Sequence, residues 1–410
     1  MSARARARAF LPAPFPVPVD PSRPLRIALF TGNYVHIEDG VSRTLGRLVG
    51  YLVAQGHEVL VLGPTVDEPA VRQPGRFLPV PSVPFPGRPE YRFSTRFPAS
   101  IRRQVEAFAP DIVHLATPDV LGHRALTWAR RRGLPAVSTY HTHFVSYLDY
   151  YGLGVGKPLF HAIARHFYNR CREVYVPTPA MEADLRRQGV AVPIRLWPRG
   201  IELDRFSPEH RSDAWRASKG WRPDEVVVAF VSRLVKEKGL DVYVQAVQRV
   251  QAEGLPVRAL IVGDGPERAA LAEALPRATF TGHLGGPDLA TAYASSDLFL
   301  FPSETETFGN VTLEAMASGL PTICADAAGS QSLVDDGRTG RLCPPRDVSA
   351  FTAALRDLAC DPDLRRAYGA AGREAARSYD WPSVLARMVT YYGEVLDPAR
   401  VRSLTPAEVS

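Results

Sequence analysis

The stretch RIALFTGNYVHIEDGVSRTLGRLVGYLVAQGHEVLVL, residues 26–62, decides the fold class. Ile27-Ala28-Leu29-Phe30 is a short apolar run, the mark of a strand buried on both faces. A glycine-bearing loop (Gly32 to Gly40) follows. Val41, Leu45, Leu48 and Leu52 then recur at helical spacing, and Gly56 ends that helix. Val59-Leu60-Val61-Leu62 is the next strand. Outward from here the alternation continues at 111–115, 136–139 and 173–176. After a stretch rich in Pro, Arg and Ser (about 198–222) it restarts with Val226–Val231, then 259–262, 297–301 and 321–324. Strands alternating with helices give a parallel sheet covered on both faces. The chain is therefore expected to be α/β, with two Rossmann-like domains and a ligand site in the cleft between them. Expected bounds are a disordered tail at 1–24, domains at 25–203 and 204–380, and a helix at 381–396 packing back toward the first domain.

Composition excludes several classes. With 45% hydrophobic and 22% charged residues in 410, the chain can bury a sizeable core. No run approaches the ~20 apolar residues of a membrane-spanning helix. Cys171, Cys324, Cys343 and Cys360 show no CxxC spacing, which points to reduced thiols in a cytosolic protein rather than a disulfide or zinc framework. A net charge of +6 suits phosphate-bearing ligands or an anionic membrane surface. No nucleic-acid-binding signature accompanies it, so no nucleic-acid partner is expected. Lysine is rare: only Lys157, Lys219, Lys236 and Lys238 occur.

The segment richest in chemistry is PSETETFGNVTLEAMASGLP, residues 302–321. A strand ends at Phe301, a polar loop carries Glu306, and a helix starts near Gly309 with Glu314 in its second turn. Amides at such a helix start (Phe308, Gly309, Asn310) are donors for oxygen-rich groups. The plainer alternative is helix capping by Glu304 or Glu306.

With seven residues between Glu306 and Glu314, this segment resembles the Glu-x7-Glu signature of retaining GT-B glycosyltransferases of family 4. The similarity runs from about residue 26 to 396. Further motifs occur in family order: Asp39-Gly40-Val41, Tyr140-His141-Thr142-His143, Arg199-Gly200-Ile201 before Phe206-Ser207-Pro208, residues 232–239 (SRLVKEKG), and Val262-Gly263-Asp264-Gly265-Pro266. Tyr140–Thr142, Arg195-Leu196-Trp197 and Ser303–Thr307 resemble the branch of sulfoquinovosyl-, mannosyl- and glucosyl-glycerolipid synthases.

The resemblance implies transfer of a hexosyl group from a UDP- or GDP-linked donor to a hydroxyl, with retention and no metal or other cofactor. It makes Arg233 and Lys238 the diphosphate-binding pair, a guanidinium fork and an ammonium point charge. Gly40 admits the phosphates. Glu306, beside Phe308, Gly309 and Asn310, meets the sugar hydroxyls, and Glu314 clasps the ribose. His283 and Leu284 meet the nucleobase, and His141 faces the donor sugar. Asp361-Pro362-Asp363 reads as a helix cap rather than a metal motif.

On the acceptor side stand Asp39, Tyr147 and Tyr151. Arg88, Arg92, Arg96, Arg102 and Arg103, mixed with Tyr91, Phe93 and Phe97, suit an anionic lipid surface, the alternative being a solvated basic helix plus core aromatics. A lipid acceptor such as diacylglycerol, with peripheral contact at the inner face of the plasma membrane, is the favoured expectation. A soluble sugar or sugar-phosphate acceptor and a non-catalytic sugar-binding relative are the alternatives.

Overall fold

A computed structural model describes residues 23–37, 40–65, 70–85, 88–140 and 157–397. They divide into two compact units. The first runs to Val176 and takes in Glu182–Trp197 and the chain from Leu385; the second holds Pro177–Met181 and Pro198–Val384. The chain thus leaves the first unit after Trp197, ahead of the expected boundary at 203.

In the first unit the strands are β1 (Arg26–Phe30), β2 (Glu58–Pro64), β3 (Arg76–Val80), β4 (Val83–Phe85), β5 (Arg88–Phe93), β6 (Ile112–Leu115), β7 (Ala136–Thr139), β8 (Val174–Val176) and β9 (Ile194–Leu196). A parallel sheet runs in the order β3-β2-β1-β6-β7-β8-β9, and β4 with β5 forms a separate antiparallel ribbon. The helices are α1 (Gly40–Ala54), α2 (Ala99–Phe108), α3 (Val120–Arg131), α4 (Lys157–Tyr168) and α5 (Pro179–Arg187).

The second unit repeats the plan. Its strands are β10 (Val226–Val231), β11 (Val257–Val262), β12 (Thr279–Gly282), β13 (Leu298–Phe301), β14 (Thr322–Ala325) and β15 (Gly340–Cys343), in the parallel order β12-β11-β10-β13-β14-β15. Its helices are α6 (Asp213–Ser218), α7 (Leu240–Ala252), α8 (Arg268–Ala274), α9 (Gly286–Ala294), α10 (Asn310–Ala317), α11 (Ala328–Gln331), α12 (Val348–Cys360), α13 (Pro362–Ala376) and the start of α14 (Trp381–Leu396). Every residue of β10 is buried. That is why these strands read as unbroken apolar runs: helices cover a parallel sheet on both faces. In each sheet the order reverses beside the first strand, between β1 and β6 and between β10 and β13. Loops leaving the carboxyl ends on either side of such a reversal face one crevice, the usual ligand position.

Helix α14 begins in the second unit and ends in the first. At its start Trp381 lies where a Cβ on Gly200 would sit 2.4 Å from the indole, so position 200 has room only for glycine. Beside it the Arg199 guanidinium is buried, which lowers its pKa to about 10. Toward the other end Arg195 Nη1 donates to Glu394 Oε2 at 2.5 Å and stacks 3.9 Å over the Tyr391 ring. Within the first unit, fully buried His114 on β6 lies between Tyr392 Oη, 2.5 Å from Nδ1, and Thr139 Oγ1, 3.0 Å from Nε2. Of the two readings of the aromatics near the arginines, Phe97 follows the core one: it packs edge-on between Phe30 and Trp128. All four cysteines are free, and burial raises the thiols of Cys171, Cys324 and Cys343 to about 12.

Burial keeps the His114 imidazole neutral and lowers its pKa from 6.5 to about 3. Below pH 6.5 the unfolded chain binds a proton that the folded chain refuses until about pH 3, so stability is lost as pH falls through that window. At pH 5 the loss from this group is about 2 kcal/mol. Thermal melts between pH 7 and 5 are expected to show a falling midpoint in the wild type and a shallower fall in His114→Gln. An identical slope in both would rule His114 out as a source of the acid sensitivity.

Candidate functional site

Because β10 and β13 are parallel neighbours, the loops after them, 232–239 and 302–309, leave the same sheet edge. The first loop ends in a single turn, Lys236–Lys238, closed by Gly239 at φ +69°. The second ends at Gly309, φ +95°, where α10 begins. Both angles lie in the left-handed region that glycine enters without strain. The two loops meet through one ion pair. Lys238 Nζ donates to Glu306 Oε1 at 2.6 Å, with Thr305 Oγ1 at 3.4 Å, and Ser303 Oγ donates to the same Glu306 oxygen at 3.3 Å. The side chains of Lys238 and Glu306 are only 12% and 21% exposed, whereas Lys236 stands in solvent.

Backbone contacts fix the pair from three directions. A Cβ on Gly239 would lie 2.7 Å from the Pro302 carbonyl oxygen, so loop 302–309 rests on this glycine. On the opposite side Gly329 of α11 faces Glu306: a Cβ there would lie 2.7 Å from Glu306 Cβ and 2.8 Å from its carbonyl oxygen. The third contact explains the Gly263-Asp264-Gly265 motif. Cβ atoms on Gly263 and Gly265 would collide with the carbonyl oxygens of Ser232, at 1.9 Å, and Leu234, at 2.4 Å. The Leu234 amide donates to Asp264 O at 2.9 Å, and the Glu267 amide donates to Leu234 O at 3.1 Å. These glycines are thus a platform for the loop that carries Arg233. The Arg233 side chain itself is 77% exposed and 3.9 Å from Glu237.

Glu314, half-buried on α10, accepts from Tyr293 Oη at 2.9 Å. Tyr293 is fully buried; Phe206 packs edge-on against it at 5.8 Å. Burial and the Glu314 carboxylate push the Tyr293 phenol far above its usual pKa, so it remains a donor. Among the described residues no side chain caps the start of α10. Glu304 instead accepts from Arg346 Nε at 2.7 Å. Helix capping by Glu304 is therefore not what the structure shows, and α10 starts after buried Phe308, at Gly309 and exposed Asn310. His283 is exposed and Leu284 half-buried just beyond β12.

Gly40 opens α1, and among the described residues a Cβ there would meet nothing within 4 Å. Asp39, His141, Tyr147 and Tyr151 lie outside the described residues. Tyr140 is buried and its amide donates to Tyr175 O at 2.8 Å. Asp361 accepts from the amides of Asp363 and Leu364 as the cap of α13. Among the described residues no group of three or more His, Cys, Asp or Glu is placed to hold a metal.

Two family models match the chain: "Glycosyltransferase Family 4" over residues 39–205 and "Glycosyl transferases group 1" over 225–361. A GDP-mannose-dependent alpha-mannosyltransferase of Mycolicibacterium smegmatis is 34% identical over 92% of this chain and 100% of its own length. The chain belongs to glycosyltransferase family 4. A sulfoquinovosyl transferase of Arabidopsis thaliana is 33% identical over 92% of this chain and 75% of its own. Among solved structures, a sucrose-phosphate synthase from Thermosynechococcus elongatus superposes with a TM-score of 0.73 at 23% identity, covering 90% of this chain and 99% of that one. Anabaena HepE in complex with UDP gives 0.70 at 18% identity, covering 90% of this chain and 99% of that one. The fold is GT-B, and the protein is a hexosyltransferase.

In this family 4 enzyme the sequence motifs supplied Glu306, Glu314, Arg233 and Lys238 but not Tyr293 or Gly329, whose contacts come from distant elements. Gly329→Ala is expected to push the Glu306 loop aside. Displacements of about 1 Å at a reacting site cost up to about 100-fold in rate, so turnover should fall by tenfold or more, with about 1–3 kcal/mol of stability lost to overpacking. Gly393→Ala, whose Cβ meets nothing within 4 Å, is the control and should retain both. Initial rates and thermal melts decide it; wild-type turnover in Gly329→Ala would contradict the close contact.

Proposed function

We propose that the enzyme is a retaining glycosyltransferase moving a hexosyl group from a UDP- or GDP-linked donor, bound in the second unit, to a lipid hydroxyl such as that of diacylglycerol. The observation that carries this is the Lys238–Glu306 pair at the reversal between β10 and β13, with Arg233 on the same loop as Lys238 and Glu314 one helix turn behind. Arg233 and Lys238 take the diphosphate, supported by the amides at the start of α10. Glu314, oriented by Tyr293, takes the ribose hydroxyls, and His283 and Leu284 meet the base. Glu306 accepts from the sugar hydroxyls with the oxygen that Lys238 leaves open. His141 is assigned to the donor sugar by family resemblance alone.

A double-displacement route needs a carboxylate nucleophile at the anomeric carbon. Glu306 is committed to Lys238 and to hydroxyls, so attack comes from the face that the leaving group departs, with the diphosphate accepting the acceptor proton. The cationic pair neutralises that leaving group, and activity is expected without divalent ions. A lipid acceptor is supported by the exposed Arg96, Arg102 and Arg103 and by the similarity to an alpha-monoglucosyldiacylglycerol synthase of Streptococcus pneumoniae, 29% identical over 83% of this chain. Among the described residues no helix is long and apolar enough to cross a membrane.

The test is a donor panel with EDTA present: GDP-mannose, UDP-glucose, UDP-galactose, UDP-sulfoquinovose and UDP-GlcNAc, each with diacylglycerol vesicles. One donor is expected to give an α-linked glycolipid, lost by at least 100-fold in Glu306→Ala. Nucleotide release with soluble sugars only would reject the lipid acceptor, and a β-linked product would reject retention.

A further inference from the structure

The donor reading leaves a feature of the ion pair unused. Lys238 is the more buried of the two cations assigned to the diphosphate, and its ammonium is already matched by Glu306 at 2.6 Å. Among the described residues Arg233 is paired with exposed Glu237 at 3.9 Å. A phosphate oxygen that also binds Lys238 therefore lies about 5 Å from the Glu306 carboxylate, two hydrogen-bond lengths across one nitrogen. Like charges at that range repel measurably even in a partly solvated crevice.

The two ligands differ in that charge. In a nucleotide-sugar the β-phosphate is esterified and carries one negative charge. Once the sugar has been transferred, the terminal phosphate of the nucleoside diphosphate has a second ionisation near pH 6 and carries close to two. The donor also offers hydroxyls to Glu306, while the product offers none. We infer that Glu306, acting on the terminal phosphate across Lys238, weakens the site for the free nucleoside diphosphate relative to the sugar-bearing donor and so promotes product release. This rests on the donor reading above. It assigns to Glu306 a second role, in discrimination, besides its contact with the sugar.

The pair stays in place because backbone holds it. Gly239 lies under Pro302 and Gly329 against the Glu306 main chain, so a substitution at the Glu306 side-chain tip leaves the loop seated. Glu306→Gln removes the charge at nearly constant shape, and Glu306→Asp keeps it.

Calorimetric titration of the full-length protein with UDP, GDP, UMP and GMP, at pH 7.5 and without donor, tests the inference. The diphosphate that the wild type binds is expected to bind Glu306→Gln about tenfold more tightly, the order set by one added charge at about 5 Å. The matching monophosphate should change less than twofold. Glu306→Asp should stay within threefold of wild type for both, and melting curves of both variants confirm folding. Unchanged or weaker diphosphate binding in Glu306→Gln overturns the inference, as does an equal gain for mono- and diphosphate. A wild type that binds neither UDP nor GDP overturns the donor reading itself and this inference with it.

Discussion

One ion pair joins the two loops on which the rest of the site depends. Lys238 and Glu306 are 68 residues apart, on loops that leave neighbouring parallel strands, and they meet at 2.6 Å where the strand order reverses. A pair this close, with both side chains largely shielded, is unlike a surface salt bridge worth ~0–1 kcal/mol. Removing one partner leaves the other partly buried and unmatched. The sheet brings the loops to the same edge, and the pair selects which side chains on them face each other.

Glycine does the remaining positioning. At 239, 263, 265 and 329 the backbone of one loop lies where a Cβ would sit, so the site consists of main chains in direct contact. Such contacts hold a loop more tightly than flexible side chains do. The same logic appears where Trp381 covers Gly200 at the start of α14. The other end of that helix is fixed by Tyr392 on His114 and by Tyr391 and Glu394 around Arg195. The Tyr293 hydroxyl is the exception, a side chain that orients Glu314 from a fully buried position.

The sequence made the central strands legible because both their faces are buried: Ile27–Phe30, Val226–Val231 and Leu298–Phe301 are continuous apolar runs. It hid the strands toward the sheet edges, whose faces are less covered. β3 carries Arg76 and Pro79, β12 is Thr-Phe-Thr-Gly, and β15 begins Gly-Arg. In the site, charged residues in motif order could be read directly. Tyr293 could not, since nothing local distinguishes a buried tyrosine that orients a carboxylate from one that fills space. Gly263 and Gly265 were visible as a motif, but their purpose, support for the Arg233 loop, needs the third dimension. Phe97 stayed open between surface and core because an aromatic beside arginines reads alike in both.

The most direct test is a crystal structure of the enzyme with its nucleotide-sugar. The account places the diphosphate within hydrogen-bond distance of Lys238 and Arg233, the ribose on Glu314 and the sugar hydroxyls on Glu306. A nucleotide bound at the carboxyl edge of β1 and β6 instead, with the Lys238–Glu306 pair untouched, would contradict it.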